Sequence, residues 1–497
     1  MRRAHVVDDV RAAERALMAR LPDGALMQRA AAGLASTCAR LLPRVYGSRV
    51  VLLVGSGDNG GDALYAGTRL ARRGARVSAL LVGSRVHEQG IAALRRAGGA
   101  VVTDPAALAV LDDADLVVDG LLGIGGRGGL REPAATVAGR VAETGATVVA
   151  VDLPSGVDAS TGEVDGVAVR ADVTVTFGTW KPGLLVDPAA TYAGAVELVD
   201  IGLADDLPAA AVEALQAADV AALLPAPAGE SDKYRRGVVG VVAGSDRFPG
   251  AAVLAVTAAA RAGAGMVRYS GPRRVADAVL AELPSTVVHE GMPADAGRVQ
   301  AWIVGPGVDT DEIAAERLAQ VLASDVPVLV DADGLGVLAA TLGDGPLDRS
   351  APTLLTPHAG EFARLAGADR AEVEARRLTH VRDLADRLGV TVLLKGSTTL
   401  VAAPGMPVRA NPTGTPWLAT GGTGDVLSGL CGALLAQGLS PRDAGSVGAY
   451  LHGLAARLAA DSVDCLRRPG GSAPISAERL VPAITDAWRS LSGGLGQ

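Results

Sequence analysis

The chain has no long hydrophobic run. Its apolar segments reach only about five to eight residues before Gly, Asp or Pro interrupts them, far short of the roughly 20 a membrane-spanning helix needs. Cysteine is nearly absent: Cys38, Cys431 and Cys465 are scattered, odd in number and form no Cys-x-x-Cys pair, which excludes a disulfide framework and a structural zinc site and leaves buried or incidental thiols. A basic stripe is missing too. The net charge is −8 and the arginines are dispersed in short pairs such as Arg235-Arg236 and Arg467-Arg468, so nucleic acid is not an expected partner. The opening Met1-Arg2-Arg3-Ala4-His5 is not followed by the apolar core of a secretory signal, so the expectation is a cytoplasmic chain with no membrane partner. Lysine and asparagine are scarce beside abundant arginine, a bias of the kind GC-rich coding produces: only Lys181, Lys233, Lys395, Asn59 and Asn411 occur. Where a residue type has nearly vanished, each survivor answers a specific need, and all of these but Lys233 fall in or beside glycine-rich motifs.

What is present is a globular balance, 49% hydrophobic and 20% charged, which excludes disorder. The 497 residues exceed what one core usually supports, so two domains are expected. Residues 6–46 read as helical with a break at Pro22-Asp23-Gly24. Arg49–Val54 then reads as a strand, residues 63–73 as a helix and residues 76–82 as the next strand, with further strands at 115–119, 147–152 and 172–177. Each ends in a polar or glycine-rich turn, the pattern of a parallel sheet whose ligand site lies at the strands' carboxyl ends. An Ala- and Pro-rich stretch, 206–230, reads as a linker with room for one short helix. A second series follows: strands at 237–243, 301–304, 327–330, 353–355 and 391–394, and helices at 250–262, 425–437 and 445–460.

Gly421-Gly422-Thr423-Gly424-Asp425 runs directly into an apolar helical segment. Such glycines let backbone N–H groups converge on an anion while the helix dipole adds positive charge, so this is a phosphate seat. Asp425 in the first turn can act as general base toward a hydroxyl facing that phosphate. The bland alternative is a glycine-rich N-cap with Asp as helix starter. Upstream, Gly305-Pro306-Gly307, Asp331-Ala332-Asp333-Gly334, Thr356-Pro357-His358 and Lys395-Gly396-Ser397-Thr398-Thr399 each stand at a predicted strand end. Lys395 can neutralise a phosphate and the hydroxyls can donate to it. His358 reads equally as a turn residue or a ligand contact, and Asp331 and Asp333 as loop caps or metal ligands.

In the first half, Asp58-Asn59-Gly60-Gly61-Asp62 sits between strand and helix, where it reads either as a type I′ turn or as a loop approaching a dinucleotide phosphate. It is not the G-x-G-x-x-G pattern, so a hydride-transfer cofactor site is not supported. Asp119 with the glycine run to Gly129 supplies a second backbone cradle, and Asp152-Leu153-Pro154-Ser155-Gly156 places a carboxylate at a strand end. Asn59, Asp119 and Ser155 carry hard oxygen atoms suited to a cation.

Together these motifs, with Thr176-Phe177-Gly178-Thr179-Trp180-Lys181-Pro182-Gly183-Leu184 and Asn411-Pro412-Thr413-Gly414, resemble the bifunctional NAD(P)H-hydrate repair enzymes over nearly the whole chain. The resemblance implies an α/β protein of two three-layer αβα domains, each around a mainly parallel sheet. Residues 1–205 would be a Rossmann-like epimerase domain and 231–497 a ribokinase-like, ADP-dependent dehydratase domain. It implies that Asn59, Asp119 and Ser155 bind K+, and that Asn59, Gly60, Gly61, Asp62, Ala63, Gly123, Ile124, Gly125, Gly126, Arg127, Gly128, Gly129 and Asp152 hold the hydrated dinucleotide, Asp152 being the acid/base of epimerisation. In the second domain it implies hydrate contacts from the Ala251-Ala252 region, Gly307, His358 and Asp425, ADP contacts from Lys395, Gly396, Ser397, Thr398, Thr399 and Gly424, Mg2+ as cofactor, and Asp425 as the catalytic base. The substrates would be hydrated NADH (NADHX), hydrated NADPH (NADPHX) and ADP as co-substrate, and the assembly a homo-oligomer.

Two positions depart from the family pattern. Asp58 stands where a second asparagine is common, and Ala63 where a glycine is, which puts a charge and a methyl group at the implied cradle. Trp417 occupies a stretch usually filled by smaller residues. The competing reading is a ribokinase-like kinase of a vitamin or sugar alcohol with a non-catalytic N-terminal binding module.

Overall fold

The structure is a computed structural model that describes residues 1–460 and 472–492, apart from Ser84, Pro105, Arg127, Ala228 and Asp344. It divides into two compact units, Arg2–Val212 and Glu213–Gln497, the latter joined by Met1. The division falls beyond the expected end of the first domain at residue 205. The stretch expected to be a linker holds a strand, Val212–Ala214, and a helix, Ala217–Leu223. That helix has a reciprocal cap between Gln216 and Asp219, and Leu215 and Val220 are buried in the core of the second unit, which is why an Ala- and Pro-rich composition still folds here.

In the first unit the sheet order is Ala100–Val102, Arg76–Leu81, Arg49–Val54, Leu116–Gly120, Thr147–Val151, Val173–Phe177, Ala195–Val199, and every pairing is parallel. Alternation along Arg49–Val54 sends Val50, Leu52 and Val54 to one core, shared with the helices Val7–Met18, Ala25–Leu41 and Asp58–Arg72. Val51 and Leu53 go to the other, shared with Ala134–Ala142. The strand order reverses between Arg49–Val54 and Leu116–Gly120, and the crevice at that switch point is where open α/β sheets place ligands. The two chains part there very closely: a Cβ on Gly55 would lie 1.8 Å from Leu121 O, so only glycine fits.

In the second unit Thr391–Leu394, Thr353–Leu355, Val328–Val330, Ala301–Val304, Val238–Val242, Met266–Ser270 and Val287–His289 follow one another as parallel strands. Beyond Thr391–Leu394 the sheet turns antiparallel through Thr399–Ala402 and Val408–Asn411. One core joins the sheet to the helices Pro249–Arg261, Thr423–Ala436, Pro441–Ala460 and Ala477–Ser492. A second set, Glu312–Leu322, Asp333–Thr341, Ala359–Ala366 and Arg377–Leu388, packs on the strands and on itself. No helix among the described residues is long and apolar enough to cross a membrane.

Candidate active sites

The first site forms at the switch point. Asp58-Asn59-Gly60-Gly61-Asp62 is not a turn but the opening of the helix Asp58–Arg72. Glycine is a poor helix former, yet a Cβ on Gly60 would lie 2.5 Å from Gly55 O, so close approach of the preceding loop decides the residue. Asn59, Gly60, Gly61, Asp62 and Ala63 are all buried. The Asn59 side-chain amide donates to Leu122 O at 3.2 Å and to Val151 O, which ties the helix start to both strand-end loops and leaves its carbonyl oxygen beside Gly123. Asp119, fully buried, accepts from Ser155 N at 2.8 Å, Ser155 Oγ at 2.6 Å and Leu121 N at 3.3 Å. Burial pushes its carboxyl up to about 6 despite these donors. The structure therefore brings Asn59, Asp119 and Ser155 together as one oxygen-rich cluster. Asp62 is buried with one carboxylate oxygen unpaired. Burial first, then the charges of Asp152, Asp58 and Glu14, raise it well above the ordinary carboxylate range.

Asp152 stands at the edge of this crevice with φ +66°, a left-handed conformation that side-chain-bearing residues rarely adopt and that costs on the order of 1–2 kcal/mol. It is held there by its N–H on Val175 O at 2.8 Å and by a carboxylate that accepts from Thr176 Oγ1 at 3.0 Å and Phe177 N at 3.1 Å. Lys181, 1% exposed, donates to the same carboxylate oxygen, to Thr176 Oγ1 and to Phe177 O. A carboxylate and an ammonium are thus locked side by side at the end of a strand. Of the glycine cradle, residues 123–126, 128 and 129 lie in the described chain and Arg127 lies outside it.

In the second unit Gly422 caps the helix Thr423–Ala436 with φ +85°, and Asp425 occupies its first turn. Lys395 Nζ donates to Asp331 Oδ1 at 2.8 Å and lies 3.7 Å from Glu361 Oε2, while Asp331 Oδ2 accepts from Ser428 Oγ at 2.6 Å. A Cβ on Gly424 would be 3.6 Å from the Lys395 ammonium, so that ammonium sits on the helix N-terminus beside the glycine loop. Burial would lower Lys395, but Asp331 and Glu361 hold it above its ordinary value and therefore charged. Burial first, and then the Asp331 charge, push Asp425 up to about 7. Ala332, between Asp331 and Asp333, is strained like Asp152, with φ +50°.

His358 caps the helix Ala359–Ala366: its Nδ1 accepts from Gly360 N at 2.9 Å and Glu361 N at 3.3 Å, and Glu361 returns a bond to His358 N. Its Nε2, on the exposed side of the ring, lies 3.4 Å from Glu361 Oε1. Ala252 lies wholly in the hydrophobic core, and it is Ala251 whose methyl group reaches Gly307, because the helix Pro249–Arg261 turns that neighbour outward. Residues 395–398 make the turn between two antiparallel strands, and Thr399 opens the second of them.

Two buried residues that sequence reading passed over organise this site. Arg377 donates to Lys395 O and Thr398 O, both at 3.1 Å, and a Cβ on Gly396 would strike its guanidinium, so it shapes the turn. His452 donates from Nε2 to Thr423 O at 2.9 Å; burial drives its ring down to about 4, so it stays neutral.

Residues 239–467 match the family model of NAD(P)H-hydrate dehydratase, and residues 23–183 that of the YjeF-related protein N-terminus. The chain is 50% identical to the bifunctional NAD(P)H-hydrate repair enzyme of Mycobacterium leprae, across 99% of this chain and 100% of that one. It is 52% identical to the enzyme of the same name from Mycobacterium tuberculosis, across 89% and 91%. The chain belongs to the bifunctional NAD(P)H-hydrate repair enzymes. Among solved structures, the ADP/ATP-dependent NAD(P)H-hydrate dehydratase of Bacillus subtilis, co-crystallised with ATP/Mg2+, is 30% identical and superposes with a TM-score of 0.50 over 56% of this chain and 99% of its own. The repair-enzyme family accounts for both halves, whereas a small-molecule kinase would leave the first unit unexplained.

Proposed function

We propose that the first unit interconverts the R and S hydrates of NADH and NADPH, and that the second dehydrates the S hydrate with ADP, releasing NAD(P)H, AMP and phosphate. The observation that carries this reading is Asp425, a base poised near neutrality, beside a charged Lys395 at a helix N-terminus. Asp425 takes the proton of the ring hydroxyl as its oxygen attacks the terminal phosphorus of ADP. Lys395 and the backbone N–H groups of residues 421–424 hold the phosphate oxygens and stabilise the charge that develops there. The ring nitrogen's lone pair then expels phosphate to leave an iminium, and loss of the proton on the adjacent ring carbon gives the ring double bond of NAD(P)H. Lys395, Gly396, Ser397, Thr398, Thr399 and Gly424 hold the nucleotide, and Gly307 and His358 the hydrate.

Among the described residues no group of three His, Cys, Asp or Glu side chains is arranged to hold a metal. Mg2+ in the second unit would therefore be held chiefly by nucleotide phosphates, which is its usual habit, and would neutralise their charge. For K+ in the first unit the donor set fits: Asn59 Oδ1, the buried Asp119 carboxylate and Ser155 Oγ are hard oxygens, and a monovalent cation would compensate a carboxylate that burial disfavours.

Purified protein given S hydrate and ADP is expected to restore absorbance at the reduced nicotinamide band, and to do so from R hydrate through prior epimerisation. No recovery from S hydrate sinks the dehydratase reading; recovery from S with R untouched sinks the epimerase reading. Because Asp425 must be ionised to accept a proton, kcat/KM for dehydration should fall about tenfold per pH unit below about 7. A flat profile down to pH 5 would remove Asp425 from the base's role. His452→Leu should lower dehydratase kcat roughly tenfold by freeing the start of the glycine-loop helix, with His452→Gln, which keeps an N–H donor, recovering part of it.

A further inference from the structure

The helix Val7–Met18 lies upstream of the residues that match the N-terminal family model, and no role in the site attaches to it so far. Val10, Ala13 and Leu17 recur at helical spacing and bury it in the core of the first unit. Its entry is pinned from both sides of the acid–base pair: Val7 N donates to Ser160 Oγ at 3.0 Å, and His5 Nδ1 meets Thr179 Oγ1 at 2.8 Å. Arg11 and Glu14, three residues apart, share one side of the helix. Glu14 faces the reaction end, since Lys181, Asp152 and Asp58 all act on its half-buried carboxyl, which burial raises above the ordinary range. Arg11 faces the glycine loop. A Cβ on Gly125 would lie 2.7 Å from the Arg11 terminal nitrogen, which places the guanidinium against the cradle.

Charge balance gives that placement a meaning. The carboxylates of Asp58, Asp62, Glu14 and Asp152 act on one another around the crevice. Lys181 is buried and bonded to Asp152, so its charge is already engaged. A dinucleotide brings further negative charge on its phosphates, which a cationic side chain among the described residues would offset against those carboxylates. Arg11 is exposed and therefore open to a ligand, and its planar fork matches two phosphate oxygens at once.

We propose that Arg11 is a substrate-binding residue of the first site, holding a phosphate of the hydrated dinucleotide against residues 123–126. The proposal rests on the epimerase reading of that unit. The phosphate is either the pyrophosphate, common to both hydrates, or the ribose 2′-phosphate of NADPHX.

The test is the initial rate of R-to-S conversion by the full chain without ADP, followed by chromatography of the diastereomers, for wild type, Arg11→Ala and Arg11→Lys. Arg11→Ala should raise KM about tenfold with kcat within about twofold, and Arg11→Lys should recover part of the loss because it restores the charge without the fork. A rise for both hydrates assigns the pyrophosphate; a rise for NADPHX alone assigns the 2′-phosphate. Unchanged KM in Arg11→Ala for both hydrates, or a loss of kcat with KM unmoved, overturns the proposal. Wild-type protein that leaves R hydrate unconverted would instead overturn the epimerase reading, and the two failures are distinct. Since the Arg11 side chain is exposed, thermal unfolding of the variants should match wild type, which keeps a KM shift from being a folding defect.

Discussion

Asp425→Asn is expected to abolish ADP-dependent dehydration, by 10³-fold or more on the order of what loss of a base at a phosphoryl-transfer centre removes, while R and S hydrates still interconvert at the wild-type rate. The substitution is nearly isosteric and the helix Thr423–Ala436 remains capped by Gly422, so the glycine loop and the Lys395–Asp331 pair keep their places. What disappears is the one group whose carboxyl, pushed up to about 7 by burial and by Asp331, can take a proton at neutral pH and remain stable in both forms. ADP affinity should change little, because the phosphate is held by backbone N–H groups and Lys395 rather than by Asp425. Nucleotide binding by calorimetry and turnover by absorbance separate the two. Retained turnover in Asp425→Asn would assign the base elsewhere, and loss of epimerisation in the same variant would count against two independent sites.

The site's carboxylates and glycines were readable in the sequence because parallel strands end where ligands bind, and the residues there are chosen by backbone geometry and charge rather than by packing. Asp119 stands one residue from the end of its strand, with the glycine run directly after it, and Asp152 and Asp331 each follow the last residue of theirs. The rarity of lysine and asparagine pointed to Lys181, Lys395, Asn59 and Asn411 for the same reason. Arg377 and His452 carried no such signal. Their partners lie 17–21 and 29 residues away in sequence, and an arginine or histidine on an amphipathic helix looks like surface until the fold turns it inward. Local propensity also misplaced the opening of the helix at Asp58. Two adjacent glycines read as a turn, and it is close approach, of Gly55 to Gly60 and of the Met27 side chain to Gly61, that accounts for glycine at both places in a helix. The antiparallel strands Thr399–Ala402 and Val408–Asn411 were missed because they stand among turn residues, Gly396, Pro404-Gly405 and Pro412, and the helix Ala477–Ser492 because Pro482 interrupts its pattern. The stretch read as a linker holds its short helix because a few apolar side chains, Leu215 and Val220, enter the core of the second unit.

Lys181→Met should eliminate epimerisation and also destabilise the first unit, by about 3–5 kcal/mol if the side chain's partners stay where they are. Lys181 and Asp152 are 1% and 6% exposed, and the ammonium supplies three hydrogen bonds at once, to Asp152, Thr176 Oγ1 and Phe177 O. Removing it leaves a buried carboxylate facing Asp62 and Glu14, which are themselves held above the ordinary carboxylate range by burial. Without the ammonium at its side Asp152 is no longer held in place for proton transfer, so activity is lost. The double variant Asp152→Asn/Lys181→Met removes both charges and should recover much of the stability and none of the activity. Calorimetry of the full chain, in which the second unit's transition serves as an internal reference, measures the first effect, and chromatography of the diastereomers the second. A single variant as stable as wild type would mean that solvent reaches Asp152, and a double variant no more stable than the single would place the loss in packing rather than in the uncompensated charge.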